Sequence, residues 1–137
     1  MAKVYITRKE HFNAAHKLAN PKWSDEKNSE VFGPCANPNF HGHNFELYVT
    51  IKGEPDPETG FIMDLKKLRD IIKKNVIELL DHQNINLDVE FMRGKMASIE
   101  NIAIGIWKQI EPHLEGCELH RVKLIETRHN YVEYFGE

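Results

Sequence analysis

The spacing of hydrophobic and polar positions changes along this chain, and each change marks an element. From Val4 to Leu18 the residues Val4, Ile6, Phe12, Ala14 and His16 fall on even positions, the alternation of a strand with one face turned inward. From His43 to Lys52 the alternation is strict, with Phe45, Leu47, Val49 and Ile51 on one face and Glu46, Tyr48, Thr50 and Lys52 on the other. Between these strands, Ala19 to Phe40 holds Pro21, Gly33, Pro34, Pro38 and several asparagines, which predicts a long loop. Loops longer than about 15 residues in compact domains usually carry function. Glu54 to Gly60 is a turn by its prolines and glycine, and Phe61 to Met63 is a short continuation.

The period then shifts to three and four. Asp64 is placed to cap a helix carrying Leu65, Leu68, Ile72, Val76, Leu79 and Leu80 inward, with Lys66, Lys67, Lys73 and Lys74 on a solvated face. A second helix opens at Ser98 and buries Ile99, Ile102, Ala103, Ile106, Trp107 and Ile110, with Pro112 and Gly116 near its end. Leu119 to Thr127 and Asn130 to Phe135 are rich in β-branched and aromatic residues and meet through Arg128-His129-Asn130, which predicts a hairpin. The order β-β-α-α-β-β predicts an α+β domain with the two helices on one face of an antiparallel sheet.

A chain of 137 residues with 41% hydrophobic content holds one such domain, residues 1–137, and a small one, so a large site is expected to be shared between subunits. Eighteen Lys+Arg against twenty-one Asp+Glu give a formal charge of −3, which argues against the broad basic footprint of nucleic-acid binding. No apolar run approaches the roughly 18–20 residues of a membrane span, and the first residues lack a signal peptide's apolar stretch, so a cytoplasmic protein without membrane partners is expected. Cys35 and Cys117 are too few for a disulfide scaffold. Cys117 has no partner group near it in sequence and is assigned no role.

Eight histidines are many for this length, and three sit where a metal can use them. His41-Gly42-His43 places two imidazoles on one face of the second strand, and His16 ends the first strand on the face of Phe12 and Ala14. Pairing of the two strands would bring together three neutral nitrogen donors, the set of an open zinc site, although no carboxylate stands near them in sequence. Cys35, six residues before His41, is open to two readings: a fourth ligand closing the site, or a thiolate base beside it. Asp81-His82 has the parts of a carboxylate–imidazole relay, or of a histidine complementing a helix C-terminus. Glu126 shares the parity of Val122 and Leu124, so its carboxylate points inward and needs a partner. Such a partner is either the adjacent N–H donors of a purine or pterin edge, or a Lys or Arg.

Phe12-Asn-Ala-Ala-His16, Cys35-Ala-Asn-Pro-Asn-Phe-His41-Gly-His43-Asn44, Leu80-Asp-His82, Ser98-Ile-Glu-Asn101 and Glu126-Thr127, in this order, resemble the 6-pyruvoyl-tetrahydropterin synthase family, which includes the queuosine-pathway 6-carboxytetrahydropterin synthases. The resemblance runs nearly end to end. It implies a tunnelling fold in which three subunits join their sheets into a barrel and two trimers stack as a homo-hexamer. The implied substrate is 7,8-dihydroneopterin triphosphate, losing triphosphate to give a 6-pyruvoyl- or 6-carboxytetrahydropterin. By resemblance, zinc is held by His16, His41 and His43, and Cys35 removes side-chain protons. Asp81 and His82 form a relay reaching in from a neighbouring subunit, Glu126 grips the pterin, and Ser98 and Ile99 line its pocket. The five-residue spacer between Cys35 and His41 and the Asn20 to Phe32 insertion look like the pyruvoyl-forming members, though bacterial members with the longer loop exist. A rival from another class is a zinc-stabilised module that binds a purine or pterin without catalysis, with Cys35 closing the metal site. A zinc hydrolase acting on such a ring is a second.

Overall fold

The computed structural model describes residues 2–137. Its framework is a ladder between two long strands, β1 (Val4–His16) and β2 (His41–Gly53), paired antiparallel from Val4↔Gly53 to His16↔His41. β4 (Glu118–Thr127) pairs antiparallel with β2, and β5 (Asn130–Tyr134) pairs antiparallel with β4. A two-residue strand, β3 (Gln83–Asn84), lies parallel to β1 on its other side, giving the order β3-β1-β2-β4-β5. The expected sheet is thus present with one addition: a short parallel edge that no alternation announces, because two residues carry no period.

The inward residues of the strands meet the inward stripes of two helices. α2 runs as α-helix over Leu65–Ile72, passes through a π-helical turn at Lys73–Ile77 and closes as α-helix at Glu78–Leu80. The Asp64 side chain caps it by accepting the Lys66 N–H. Within the π turn the Asn75 carbonyl accepts Gln109 Nε2 of the second long helix at 3.0 Å. That second helix, α4 (Ile99–Ile110), is capped by Ser98, whose Oγ accepts the Asn101 N–H. Phe12, Phe45, Leu47, Val49, Ile51, Leu124 and Val122 of the sheet and Leu68, Ile72, Leu80, Ile102, Ile106 and Ile110 of the helices are fully buried in one cluster. The rings of Phe12 and Phe45 stack at 4.9 Å within it.

The stretch from Ala19 to Phe40 is not loop throughout, as the sequence led us to expect. It contains α1 (Asp25–Phe32), followed by a 3-10 turn at Gly33–Ala36. α1 has no apolar stripe. It is held by Ser24 as N-cap, by Asp25 and Glu26 at the positive end of its dipole, and by buried Asn28. The Asn28 carboxamide accepts the Asn20 N–H at 2.7 Å and donates to the Asn20 and Ser24 carbonyls. A helix organised on polar contacts has no hydrophobic period to reveal it. Between α2 and α4 lies α3 (Ile85–Asp88), capped by Asn84, and a 3-10 turn at Glu90–Met92. Among the described residues no helix is long and apolar enough to cross a membrane.

Phe45 occupies the centre of this arrangement with no exposed surface. Phe45→Ala should therefore lower the unfolding free energy by about 3–5 kcal/mol, read from urea denaturation. A loss under about 1 kcal/mol would mean that the surrounding side chains collapse into the space.

Candidate active site

β1 and β2 end together, and their last inward positions are histidines. His16 lies directly opposite His41, and His43 lies opposite Ala14. The ring centroids are 4.6 Å apart for His16–His41, 4.9 Å for His41–His43 and 5.3 Å for His16–His43, and the three residues offer ligand atoms all within 4.8 Å of one another. Phe45 forms the floor, edge-on to His16 and His43. Phe40, immediately before His41, has φ of 67°, a left-handed conformation uncommon for an aromatic residue. The strain falls where the chain leaves the Asn37–Phe40 turn and enters β2 at the site.

The electrostatics favour a bound cation. Burial holds the pKa of each of the three imidazoles below its ordinary value, so all three are neutral near pH 7. His16 is 2% exposed, and its Nδ1 lies 2.7 Å from the Ala97 carbonyl, so Nδ1 carries the proton and Nε2 presents a lone pair. His16 Nε2, His41 Nδ1 and His43 Nε2 are buried and have no hydrogen-bond partner. Native proteins rarely leave such atoms unpaired. The Glu126 carboxylate faces two of them, at 3.6 Å from His16 Nε2 and 3.9 Å from His43 Nε2, beyond hydrogen-bond length. The His16 Nε2 lone pair and the Glu126 carboxylate repel each other unless a positive group lies between them. The residues present therefore fit a divalent cation, with the His16–Ala97 bond orienting one ligand from behind.

Glu126 points inward among apolar residues, as its parity indicates, and the groups it meets are imidazoles rather than Lys or Arg. The β4–β5 ladder jumps there, from Ile125↔Tyr131 to Thr127↔Asn130, leaving Glu126 as the extra residue of a bulge. Its carboxylate is the neighbour that the linear sequence did not supply to His16 and His43, which lie far from it along the chain.

Cys35 lies in the 3-10 turn after α1, half-buried, and its carbonyl accepts the Leu18 N–H at 2.7 Å. That bond ties the cysteine turn to the chain two residues beyond His16. The close group of candidate metal ligands consists of the three histidines, without Cys35. Ser98 caps α4 next to Ala97, so the start of that helix borders the site through the bond to His16. Ile99 follows it, packed against the core. Ala97 itself was not legible in the sequence, since only its main chain takes part and no side-chain signal marks it.

Asp81 and His82 stand apart from this cluster. Asp81 Oδ2 is 3.0 Å from His82 Nδ1, and Asp81 Oδ1 accepts the Asn13 N–H at 2.9 Å. The Asn13 N–H, and to a lesser degree His82, hold the Asp81 carboxyl below its usual range. His82 has φ of 62°, its N–H donates to the Asn13 carbonyl, and its side chain is 77% exposed. Asn13 and its register partner Asn44 are exposed on the face of the ladder away from the core, and with His82 and Gln83 they border a cavity of about 540 Å³. The relay pair is thus built, and the cavity that His82 borders is also lined by His43.

Three imidazoles that could hold a metal ion and a carboxylate facing two of them, in an α+β fold, make up a candidate catalytic centre. The sequence profile of the 6-pyruvoyl tetrahydropterin synthase family matches residues 5–137, and the chain belongs to that family. It is 40% identical over 132 residues to a 6-pyruvoyl tetrahydrobiopterin synthase of Pongo abelii, covering 96% of this chain and 91% of the relative. It is also 40% identical over 134 residues to one of Dictyostelium discoideum, covering 98% and 97%. The solved Caenorhabditis elegans 6-pyruvoyl tetrahydropterin synthase superposes with a TM-score of 0.94 at 37% identity, covering 100% of this chain and 98% of that one. The architecture is the family's tunnelling fold.

Because burial lowers the imidazole pKa values, protons compete for the ring nitrogens only below the ordinary histidine range. A bound divalent cation should be retained down to about pH 6.5 and released as the pH falls further, as measured by chelator competition and elemental analysis. The same sign governs the cation-free protein: the unfolded chain takes protons first, so this part of its stability is present above the ordinary histidine pKa and lost on acidification. Affinity already declining between about pH 8 and 7 would show that the rings charge early.

Proposed function

We propose that this chain converts 7,8-dihydroneopterin triphosphate to 6-pyruvoyl-tetrahydropterin with elimination of triphosphate, and that it uses zinc. The observation that carries the reading is the group of three neutral imidazoles with unpaired nitrogens beside an inward carboxylate, in a chain whose relatives at 40% identity over almost its whole length are 6-pyruvoyl tetrahydrobiopterin synthases.

His16, His41 and His43 would hold the zinc ion, and three neutral nitrogen donors are the set typical of a catalytic site with a free position. When bound, zinc supplies Lewis acidity at the side-chain oxygens of the substrate, lowering the cost of negative charge as a neighbouring C–H proton leaves. Cys35 takes that proton as its thiolate. Glu126 accepts the adjacent N–H donors of the pterin ring, which fixes the ring and gives the inward carboxylate a second partner. Ser98 and Ile99, at the start of α4, line the ring's edge. Asp81 orients His82, which passes protons as the side chain rearranges. The reaction is an elimination followed by internal redox tautomerisation, so it needs no external electron carrier.

The Asp81–His82 pair lies outside the close group of imidazoles with the His82 side chain exposed, and a chain this small shares a large site, so the relay serves the site of a neighbouring subunit. A homo-hexamer formed as a dimer of trimers supplies that neighbour, and the cytoplasm is its compartment. Closed rotational symmetry gives every site one such partner.

Mass spectrometry of the products formed from 7,8-dihydroneopterin triphosphate by the zinc-loaded protein tests the reading directly. 6-Pyruvoyl-tetrahydropterin with triphosphate is the expected result, whereas release of acetaldehyde would assign the 6-carboxytetrahydropterin route instead. Cys35→Ala should keep its zinc and lose about 10²–10⁴-fold in turnover, as removal of a general base does. Loss of zinc with the thiol would make Cys35 a ligand and favour a non-catalytic module. Mixing Cys35→Ala with His82→Ala under subunit exchange should restore activity toward a statistical limit. Verified exchange without recovery would place the relay within one subunit.

A further inference from the structure

Beside the histidine cluster lies a second cavity, of about 620 Å³, within the size range of small-molecule sites. Its walls come from segments already anchored to the cluster. Lys17 follows His16, and its backbone is locked on both sides by Asn86, whose carboxamide accepts the Lys17 N–H at 2.9 Å and donates to the Lys17 carbonyl at 3.0 Å. Lys95 and Met96 directly precede Ala97, the residue whose carbonyl holds His16 Nδ1. The third wall is the entry to α1, with Lys22 and Trp23.

The charge of this cavity departs from that of the chain. Lys17, Lys22 and Lys95 line it against a single carboxylate, Asp25, which lies in the first turn of α1 and complements its dipole. Among the described residues none of the three ammonium groups is in an ion pair, and Lys17 Nζ lies 4.8 Å from the centre of the Phe40 ring, just before His41. The larger cavity at the opposite end of the β1–β2 ladder sets Lys3 and Lys52 against Glu54, Asp56 and Glu118. A chain with a formal charge of −3 repels a polyanion on average, so a cationic excess adjoining the site is the feature that admits one.

We propose that Lys17, Lys22 and Lys95 bind the polyphosphate tail of the substrate and so select phosphorylated over unphosphorylated dihydropterins. The proposal rests on the site being one for a phosphorylated dihydropterin and assigns the part of it that reads the phosphates. Side-chain carbons held at the metal site carry their phosphate ester only a few bonds further on, and Lys17 and Met96 of this cavity directly adjoin His16 and Ala97 in the chain. Three lysines act there as point charges on flexible stems, suited to a chain of phosphates that rotates freely.

The test is the combined variant Lys17→Gln, Lys22→Gln, Lys95→Gln in the full-length protein. Calorimetric titration with inorganic tripolyphosphate should show affinity weakened by about 10²-fold or more, since one charge-assisted contact is worth about tenfold. The KM for 7,8-dihydroneopterin triphosphate should rise by a similar factor with a smaller change in kcat, and the Kd for phosphate-free 7,8-dihydroneopterin should stay as in the wild type. The triple Lys→Arg variant should recover most of the loss. Lys66→Gln with Lys67→Gln and Lys74→Gln, on the outer side of α2, should change none of these values. If removing the Lys17 stem from Phe40 impairs folding, Lys22→Gln with Lys95→Gln, both exposed, carries the same test.

Unchanged tripolyphosphate affinity and KM, or equal weakening of the phosphate-free pterin, would overturn the proposal. Wild-type protein that binds tripolyphosphate through these lysines yet converts no dihydroneopterin triphosphate supports the polyanion site and overturns the proposed activity. Conversion with a KM indifferent to the lysines overturns the polyanion site and leaves the activity standing.

Discussion

The pairing register of β1 against β2 is the constraint on which the rest of the molecule depends. Side chains alternate between the two faces of a sheet, so a slip of one residue would carry Phe45 out of the core and His41 and His43 to the solvent face. The hydrophobic alternation from Phe45 to Ile51 holds that register over the whole ladder. The two histidines continue the same alternation for two more positions, where the core ends. The site is therefore the polar end of the hydrophobic face, placed by the same interaction that folds the chain.

That placement has a cost that the fold leaves open. Three ring nitrogens lie buried without partners beside a carboxylate, which is unfavourable in a protein interior. The surrounding structure nevertheless keeps them there: Phe45 fills the floor, Ala97 orients His16, and the bulge at Glu126 turns a carboxylate toward them. Locally strained or under-satisfied groups persist only where neighbours over-determine them. The left-handed residues are Phe40, immediately before His41, and His82, immediately after Asp81. Both sit where the chain changes direction to present a functional side chain.

The separation of the relay pair from the imidazoles bears on assembly. The imidazoles and Glu126 continue the core face, while the Asp81–His82 pair is tied to the Asn13 main chain outside the close group of ligands. The basic cavity lined by Lys17, Lys22 and Lys95 is built on residues next in the chain to His16 and to Ala97, whose carbonyl holds His16.

The elements with a repeating side-chain pattern were determined by the sequence alone. The β1 and β2 alternation, the two amphipathic helices with Asp64 and Ser98 as caps, and the closing hairpin are legible because burying one face imposes a period on the residues that form it. The histidine triplet was legible for the same reason, as was the inward direction of Glu126. Tertiary structure alone decided what has no period. The α1 helix is held by Asn28 and Ser24 rather than by an apolar stripe, and β3 is two residues long. The π turn in α2 meets a side chain from α4, and the partner of His16 Nδ1 is a main-chain carbonyl 81 residues away. The convergence of Lys17, Lys22 and Lys95 belongs with these, because three lysines scattered over the chain become a site only when the backbone brings their segments to the same wall.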